Sequence, residues 1–211
     1  MAIDTALWSF ALVVGLLTLT PGLDTALILR TAALGRRTRA WGVVLGIQTG
    51  TLVWGALTSA GVTALLTASR LAYEVLRWAG VCYLLWMAGR MLYDTFRGGA
   101  ETAPSAEALS GADSLAGGWR QGTLTNLLNP KVGVFYVAVL PQFIPEGAPH
   151  FPMGLLLTSV HITEGLLWST VLLLSASAFG RWLRRPRARR ILDRITATVI
   201  GGLALRLGFS E

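Results

Sequence analysis

Apolar residues follow one another along most of this chain in runs much longer than the apolar face of an amphipathic helix. Four such runs hold at most two ionisable residues each: Thr5 to Leu29, Trp41 to Leu66, Gly122 to Ile144 and Phe151 to Phe179. A helix of about 20 apolar residues spans the roughly 30 Å hydrocarbon core of a bilayer. The pattern therefore predicts four transmembrane helices.

Two weaker runs are interrupted by charge and complete a set of six predicted spans. Leu71 to Tyr93 carries Glu74, Arg77 and Arg90 near its ends, and Ile191 to Phe209 has a short uncharged centre. The predicted fold class is an all-α membrane protein with six transmembrane helices. Composition agrees, because 53% of the residues are hydrophobic and only 14% are charged, against about a quarter charged in soluble domains.

The net charge is +7, and the positions of the basic residues along the chain indicate the orientation in the membrane. Arginines are concentrated in the first, third and fifth predicted loops: Arg30, Arg36, Arg37 and Arg39; Arg97 and Arg120; and Arg181, Arg184, Arg185, Arg187, Arg189 and Arg190. The second loop has Arg70 and the fourth has neither Lys nor Arg. Positive residues favour the cytoplasmic side, so both termini are predicted to be extracytoplasmic. The bilayer is the predicted partner, and no nucleic acid is needed to explain the charge.

A segment rich in Gly, Ala and Ser, residues 97–118, lacks membrane character and predicts a flexible cytoplasmic linker. It divides a single transporter domain, residues 1–211, into residues 1–96 and 119–211, with three predicted spans each. An odd number of spans per half gives the halves opposite orientations. Inverted repeats of this kind are common in secondary transporters, with the binding site where the halves meet.

In two of the predicted spans, a proline follows a residue with a capping side chain. Thr20 precedes Pro21 and Gly22 in the first span, and Asn129 precedes Pro130 in the fourth. Thr and Asn are good N-caps, and proline is favoured at the first position of a helix. Each pair predicts a helix start within the membrane, with the two N-termini facing one another. A simple proline kink is the alternative, since membrane helices tolerate kinks.

Asp24 and Lys131 follow these prolines within one helical turn. A carboxylate within a span is costly when ionised and unpaired, so Asp24 is expected to be protonated, paired or facing water. Lys131 is unfavourable at a helix N-terminus unless an anion or carboxylate joins it. We therefore expect both in a binding site. The alternatives are that Asp24 lies at the inner interface beside Arg30 and that Lys131 extends its ammonium group to the interface.

Gln48 lies in the second span among Gly42, Gly46 and Gly50, which repeat every four residues. This stripe predicts a close helix-packing face, either within the chain or in a homodimer. Gln48 either joins helices or lines the transport path.

His161 and Glu164 share a helical face in the fifth span. They predict a polar patch facing the pore or a hydrogen-bonded pair, because two ligands alone are a weak metal signal. The sequence has no GxxxxGK[ST], HExxH or GxSxG motif, so no cofactor, metal or catalytic residue is predicted.

Four segments, PGLDTALILR, GIQTG, EVLRWAGVCYLLWMAG and NLLNPKVGVFYVAVLPQFI, resemble in order the LysE/RhtB family of bacterial amino-acid exporters. The resemblance implies a six-helix inner-membrane protein that expels amino acids or derivatives, such as homoserine, threonine, lysine or leucine-type compounds, driven by the proton motive force. The family's Pro-Gly-Pro-Asp corresponds to Pro21, Gly22, Leu23 and Asp24, and its Asn-Pro-Lys to Asn129, Pro130 and Lys131. The second proline is lost, which changes local rigidity, whereas the aspartate is kept.

The hypothesis is an efflux carrier for a small amino-acid-like substrate. Its carboxylate would meet the two helix N-termini and Lys131, while Asp24 engages the amino group or the coupling proton. The predicted site residues are Thr20, Pro21, Gly22, Asp24, Gln48, Asn129, Pro130, Lys131 and Glu164. The rival hypotheses are a membrane-embedded enzyme using Asp24 and Glu164, a non-transporting membrane subunit, and a carrier that exports a metal cation.

Overall fold

The computed structural model describes residues 2–68 and 113–175 without a gap, together with scattered positions between residues 71 and 93 and between residues 191 and 205. Within these residues the fold is helical and contains no strand. The helices are α1 (Ile3–Leu19), α2 (Leu23–Ala33), α3 (Arg37–Ala68), α4 (Leu115–Leu127), α5 (Pro130–Val134) and α6 (His150–Leu174). A π-helical turn (Phe135–Val139) and a 3₁₀ turn (Leu140–Phe143) continue α5.

Two helices of the described part, α3 and α6, are each long and apolar enough to cross a membrane. The pair α1 and α2, bent by 51° at its break, passes the same test as one bent span. The predicted spans Leu71 to Tyr93 and Ile191 to Phe209 lie largely outside the described residues, as does the predicted end of the fifth span after Ser175. The chain is thus an all-α membrane protein, while the count of six and the inverted repeat stay predictions.

Large apolar side chains cover the outer face of these helices. Trp8 and Leu12 of α1 are 74% and 71% exposed, and Leu174 of α6 is 81% exposed. The opposite face of α1 is buried through Phe10 and Val14, which pack in a core with the π-helical turn and α6. Exposed leucine and tryptophan on this scale suit a surface in contact with lipid.

The first predicted span is broken, but the new helix starts two residues later than the sequence predicted. Thr20 is the C-cap of α1, and its hydroxyl donates to the carbonyl of Leu16 at 2.7 Å. Pro21 follows, and a residue before proline is disfavoured in the helical conformation, so α1 ends there. Gly22 is extended and caps α2, whose first residue is Leu23. The prediction of Thr20 as an N-cap and Pro21 as a helix start was therefore wrong.

The break in the fourth span follows the prediction. The Oδ1 of Asn129 accepts a hydrogen bond from the backbone N–H of Lys131 at 3.1 Å, and Pro130 is the first helical residue. The side-chain cap satisfies one of the donors that every helix start leaves unpaired. Thr20 and Asn129 therefore differ because the threonine hydroxyl bonds backwards to its own helix.

The predicted linker is too long at its C-terminal end, and residues 97–112 lie outside the described part of the chain. Helix α4 begins at Leu115, whereas the sequence placed the start of the fourth span at Gly122. Ser114 caps α4 by accepting a hydrogen bond from the N–H of Gly117. Gly118, which the composition placed in the linker, belongs to a packing surface, because an added Cβ there would lie 2.1 Å from the carbonyl oxygen of Arg39.

The glycines of α3 and α4 bring the two backbones into direct contact. An added Cβ on Gly42 would lie 2.1 Å from the carbonyl oxygen of Leu115, and one on Gly46 would lie 2.1 Å from that of Trp119. In return, one on Gly122 would lie 2.2 Å from the carbonyl oxygen of Val43. The predicted packing stripe is therefore used within the chain, between spans two and four. Because the stripe is occupied within the chain, it no longer supports a homodimer, which stays a prediction.

Candidate functional site

A cavity that is open to solvent lies beside the break between α1 and α2. All of the helices α1 to α6 contribute to its wall. Six predicted site residues line it: Thr20, Gly22, Asp24, Gln48, Asn129 and Lys131. The fold therefore brings together residues that are far apart in the sequence and come from both predicted halves.

Asp24 lies in the first turn of α2, where a negative charge is favoured by the helix dipole. Its Oδ2 accepts a hydrogen bond of 2.9 Å from the amide Nδ2 of Asn126, in the last turn of α4. Asn126 is 1% exposed, and its amide lies against Gly50, where an added Cβ would be 2.6 Å from Oδ1. Helix α3 therefore positions Asn126, and Asn126 holds the carboxylate.

The Lys131 ammonium is bound at the C-terminal end of α1. Its Nζ donates to the carbonyl oxygens of Leu17 and Thr20, each at 3.3 Å. The last carbonyls of a helix lack partners within the helix and carry a partial negative charge. This contact offsets the unfavourable position of a lysine in the first turn of α5. The ammonium thus lies at the helix break and in the cavity wall, as the binding-site hypothesis expects.

Asp24 and Lys131 occupy equivalent positions, each being the second residue of a helix that restarts after a break. Each also binds a group near the end of a helix in the other half of the chain. However, α5 has only five residues before the π-helical turn, and α2 already carries Asp24 at its N-terminus. The two restarted helices thus carry one negative and one positive side chain at their N-termini, and the facing of these N-termini stays a prediction.

Gln48 lies in the middle of α3 and is 8% exposed. Its amide packs flat against Gly165 of α6, since an added Cβ there would lie 2.9 Å from both Nε2 and Oε1. Among the described residues the amide makes no hydrogen bond. Gln48 thus lines the cavity and also packs against α6, and its role in the transport path stays a prediction.

His161 and Glu164 diverge instead of forming a pair. His161 lines the cavity, and its Nδ1 lies 3.0 Å from the hydroxyl of Tyr136. The two rings are stacked with centroids 5.7 Å apart. Glu164 is outside the cavity wall, with Oε2 enclosed against Gly15 of α1 and without a hydrogen-bond partner in the described part of the chain. The predicted hydrogen bond between His161 and Glu164 is therefore absent.

Pro21 and Pro130 also lie outside the cavity wall; they act by ending or starting helices. In the described residues, no three His, Cys, Asp or Glu side chains are grouped so as to hold a metal ion. The cavity wall also contains His161, which the sequence placed in a polar patch facing the pore, and polar residues that the sequence did not predict: Thr18, Thr25, Thr51, Asn126, Trp168 and Ser169. The sequence could have indicated Asn126, because this polar residue lies in a predicted span one turn before the Asn129-Pro130 break.

The bent and long apolar helices, together with the charged cavity that they enclose, define a multi-span membrane protein. The chain belongs to the LysE type translocator family, whose family profile matches residues 3–211. The resemblance noted in the sequence is thereby confirmed.

Several relatives are similar over most of their length. A homoserine/homoserine lactone efflux protein of Salmonella typhimurium is 29% identical over 189 residues, which cover 89% of both chains. A membrane protein of Vibrio cholerae is 30% identical over 172 residues, covering 81% of this chain and 80% of its own. The membrane protein YrhP of Bacillus subtilis is 22% identical over 213 residues, or 97% and 99% of the two chains. No solved structure matches the chain.

Proposed function

We propose that this protein is a secondary transporter of the bacterial inner membrane that exports amino acids or amino-acid derivatives with a neutral side chain. The proton motive force drives export, and both termini are extracytoplasmic. In this proposal Lys131 binds the substrate carboxylate and Asp24 binds the amino group or takes up the coupling proton.

The observation that carries this proposal is the presence of one carboxylate and one ammonium in the wall of a single cavity at the helix breaks. A zwitterionic amino acid presents the complementary pair of charges. Opposite charges within hydrogen-bond reach are the strongest recognition elements available to such a site. Among the described residues the cavity wall has no second carboxylate to match a cationic side chain, which favours neutral substrates over lysine.

The similarity to a homoserine/homoserine lactone efflux protein of Salmonella typhimurium supports the same class of substrate, because homoserine is an amino acid with a neutral side chain. The distribution of arginine among the loops supports the orientation. A membrane setting also suits Asp24, since a carboxylate inside a span is usually functional.

The test is efflux from proteoliposomes that contain the purified chain and are loaded with radiolabelled homoserine, threonine, leucine or lysine. With an acidic outer buffer, we expect efflux of a neutral amino acid that collapses on addition of a protonophore. Asp24→Asn removes the charge at constant size and is expected to abolish this efflux.

Asp4→Asn is the matched control, because Asp4 is exposed in the first turn of α1, away from the cavity. Undiminished efflux through Asp24→Asn would contradict the role of Asp24. A wild-type chain that moves none of the four amino acids would contradict the proposed function.

A further inference from the structure

The neutral part of the cavity holds polar groups that the binding of a zwitterion does not use. Gln48 and Thr51, one turn apart on α3, are 8% and 2% exposed, and Ser169 of α6 is 4% exposed. All three line the cavity. Within the described residues, these three side chains make no hydrogen bond. Their polar atoms are not fully enclosed by the protein. These donors and acceptors therefore face the space that a substrate would fill.

Gln48 is the most demanding of these groups, because a primary amide offers two donors and two acceptor positions. Its place depends on Gly165, since any larger residue would put a Cβ 2.9 Å from both polar atoms of the amide. A real Cβ does not approach a neighbour so closely, so a side chain at position 165 would displace the amide. The absence of a side chain at Gly165 thus determines where the Gln48 amide lies in the cavity.

We propose that Gln48, positioned by Gly165, selects substrates whose side chain carries a hydrogen-bonding group, such as a hydroxyl or a lactone carbonyl. This inference rests on the proposed export of neutral amino acids and names the part of the site that reads their side chains. A purely apolar side chain of the same size would leave the Gln48 amide buried without a partner. Leaving a buried polar group unpaired is costly, and sites built around one discriminate strongly against analogues that lack the matching group.

The experiment uses two pairs of amino acids that differ in one hydroxyl: homoserine with 2-aminobutyrate, and threonine with its near-isostere valine. Competition against efflux of a labelled substrate gives the ratio of half-inhibiting concentrations within each pair. For the wild-type chain we expect the hydroxylated member to be favoured by about tenfold, the value of one or two net hydrogen bonds. In Gln48→Met, which keeps the length of the side chain but loses the amide, we expect the ratio to fall to about one.

Gly165→Ala tests the positioning without touching the amide itself. The Gln48 side chain is flexible enough to move, so the variant is expected to insert normally and to lose most of the preference. Gly61→Ala is the matched control, because its Cβ would meet nothing within 4 Å. In the double variant Gln48→Met with Gly165→Ala, the alanine should change the ratio no further, because the two residues act through one amide.

The outcomes separate the two proposals. A wild-type chain that exports both members of each pair equally, or a Gln48→Met variant that keeps the preference, overturns the role of Gln48 while export stands. Equal loss of both members in a correctly inserted Gln48→Met variant also overturns it, because the residue would then serve helix packing. A wild-type chain that moves none of these amino acids overturns the proposed function instead.

Discussion

Replacing Gly46 by alanine should separate the two helices that build the centre of this fold. The new Cβ would lie 2.1 Å from the carbonyl oxygen of Trp119 and 2.7 Å from the backbone nitrogen of Thr123. Both neighbours are backbone atoms, so no rotamer change relieves the contact. Restoring an ordinary separation of 3.4 Å requires a shift of 3.4 − 2.1 = 1.3 Å between α3 and α4.

The magnitude follows from what this shift disrupts. Overpacking that forces side chains and backbone to shift typically costs about 1–3 kcal/mol. The Thr123 hydroxyl lies 3.1 Å from the Gly46 carbonyl but also donates to the Trp119 carbonyl of its own helix at 2.9 Å, so it keeps a partner when the helices separate. The expected loss in free energy of unfolding from the packing contact is therefore about 1–3 kcal/mol. Because alanine is the better helix former, intrinsic propensity acts in the opposite direction by about 1 kcal/mol, so the packing effect must exceed it.

The assay is reversible unfolding in mixed detergent micelles, followed by tryptophan fluorescence. Gly61→Ala carries the same change in propensity on the same helix without a contact, and it should match or exceed the wild-type stability. The reasoning would be refuted if Gly46→Ala unfolded at the same denaturant concentration as Gly61→Ala. The α3–α4 contact would then not be backbone to backbone.

Three further predictions concern single polar contacts. The Oδ1 of Asp113 accepts a hydrogen bond of 2.6 Å from the backbone N–H of Arg39 in the first turn of α3. In unfolding experiments Asp113→Ala should lower the free energy of unfolding by about 1 kcal/mol, and Asp113→Asn should lower it clearly less. Equal losses in the two variants would exclude a capping role for Asp113. Tyr136→Phe leaves the Nδ1 of His161 unpaired and should cost about 1–3 kcal/mol; adding His161→Phe should recover part of this stability, and a further loss would contradict the argument. Lys131→Met removes the donor to the end of α1 and should lower stability by about 1–3 kcal/mol. Lys131→Gln retains a donor and should lose less stability than Lys131→Met. Neither variant should export, and export by Lys131→Gln would show that the positive charge is dispensable.

The sequence predicts the fold class and both helix breaks because these depend on local features. A proline ends a helix through its own geometry, and an apolar run of sufficient length needs no tertiary context. The position of the first break was missed by two residues because Thr20 had two options for its hydroxyl, the following N–H groups or the Leu16 carbonyl. A threonine side chain offers both, and only the observed backbone decides between them.

The partners of the charged residues could not be predicted from local features. Asn126 is separated from Asp24 by about a hundred residues, and the Leu17 and Thr20 carbonyls that bind Lys131 carry no side-chain signal at all. The linker error has the same origin, because glycine is typical of both flexible segments and close helix contacts. A four-residue repeat in both α3 and α4 distinguishes the two cases only when the helices are seen together.

The glycines of this fold fall into two groups with different consequences for the site. Gly42 and Gly46 meet backbone, so their substitution changes the distance between helices. Gly50 and Gly165 meet the amides of Asn126 and Gln48, which are the ends of side chains that can move. Substitution in the second group should therefore preserve the fold and alter the cavity, because Asn126 holds Asp24 and Gln48 faces the substrate space. In this protein the absence of a side chain is thus a means of placing polar groups in the membrane as well as of packing helices.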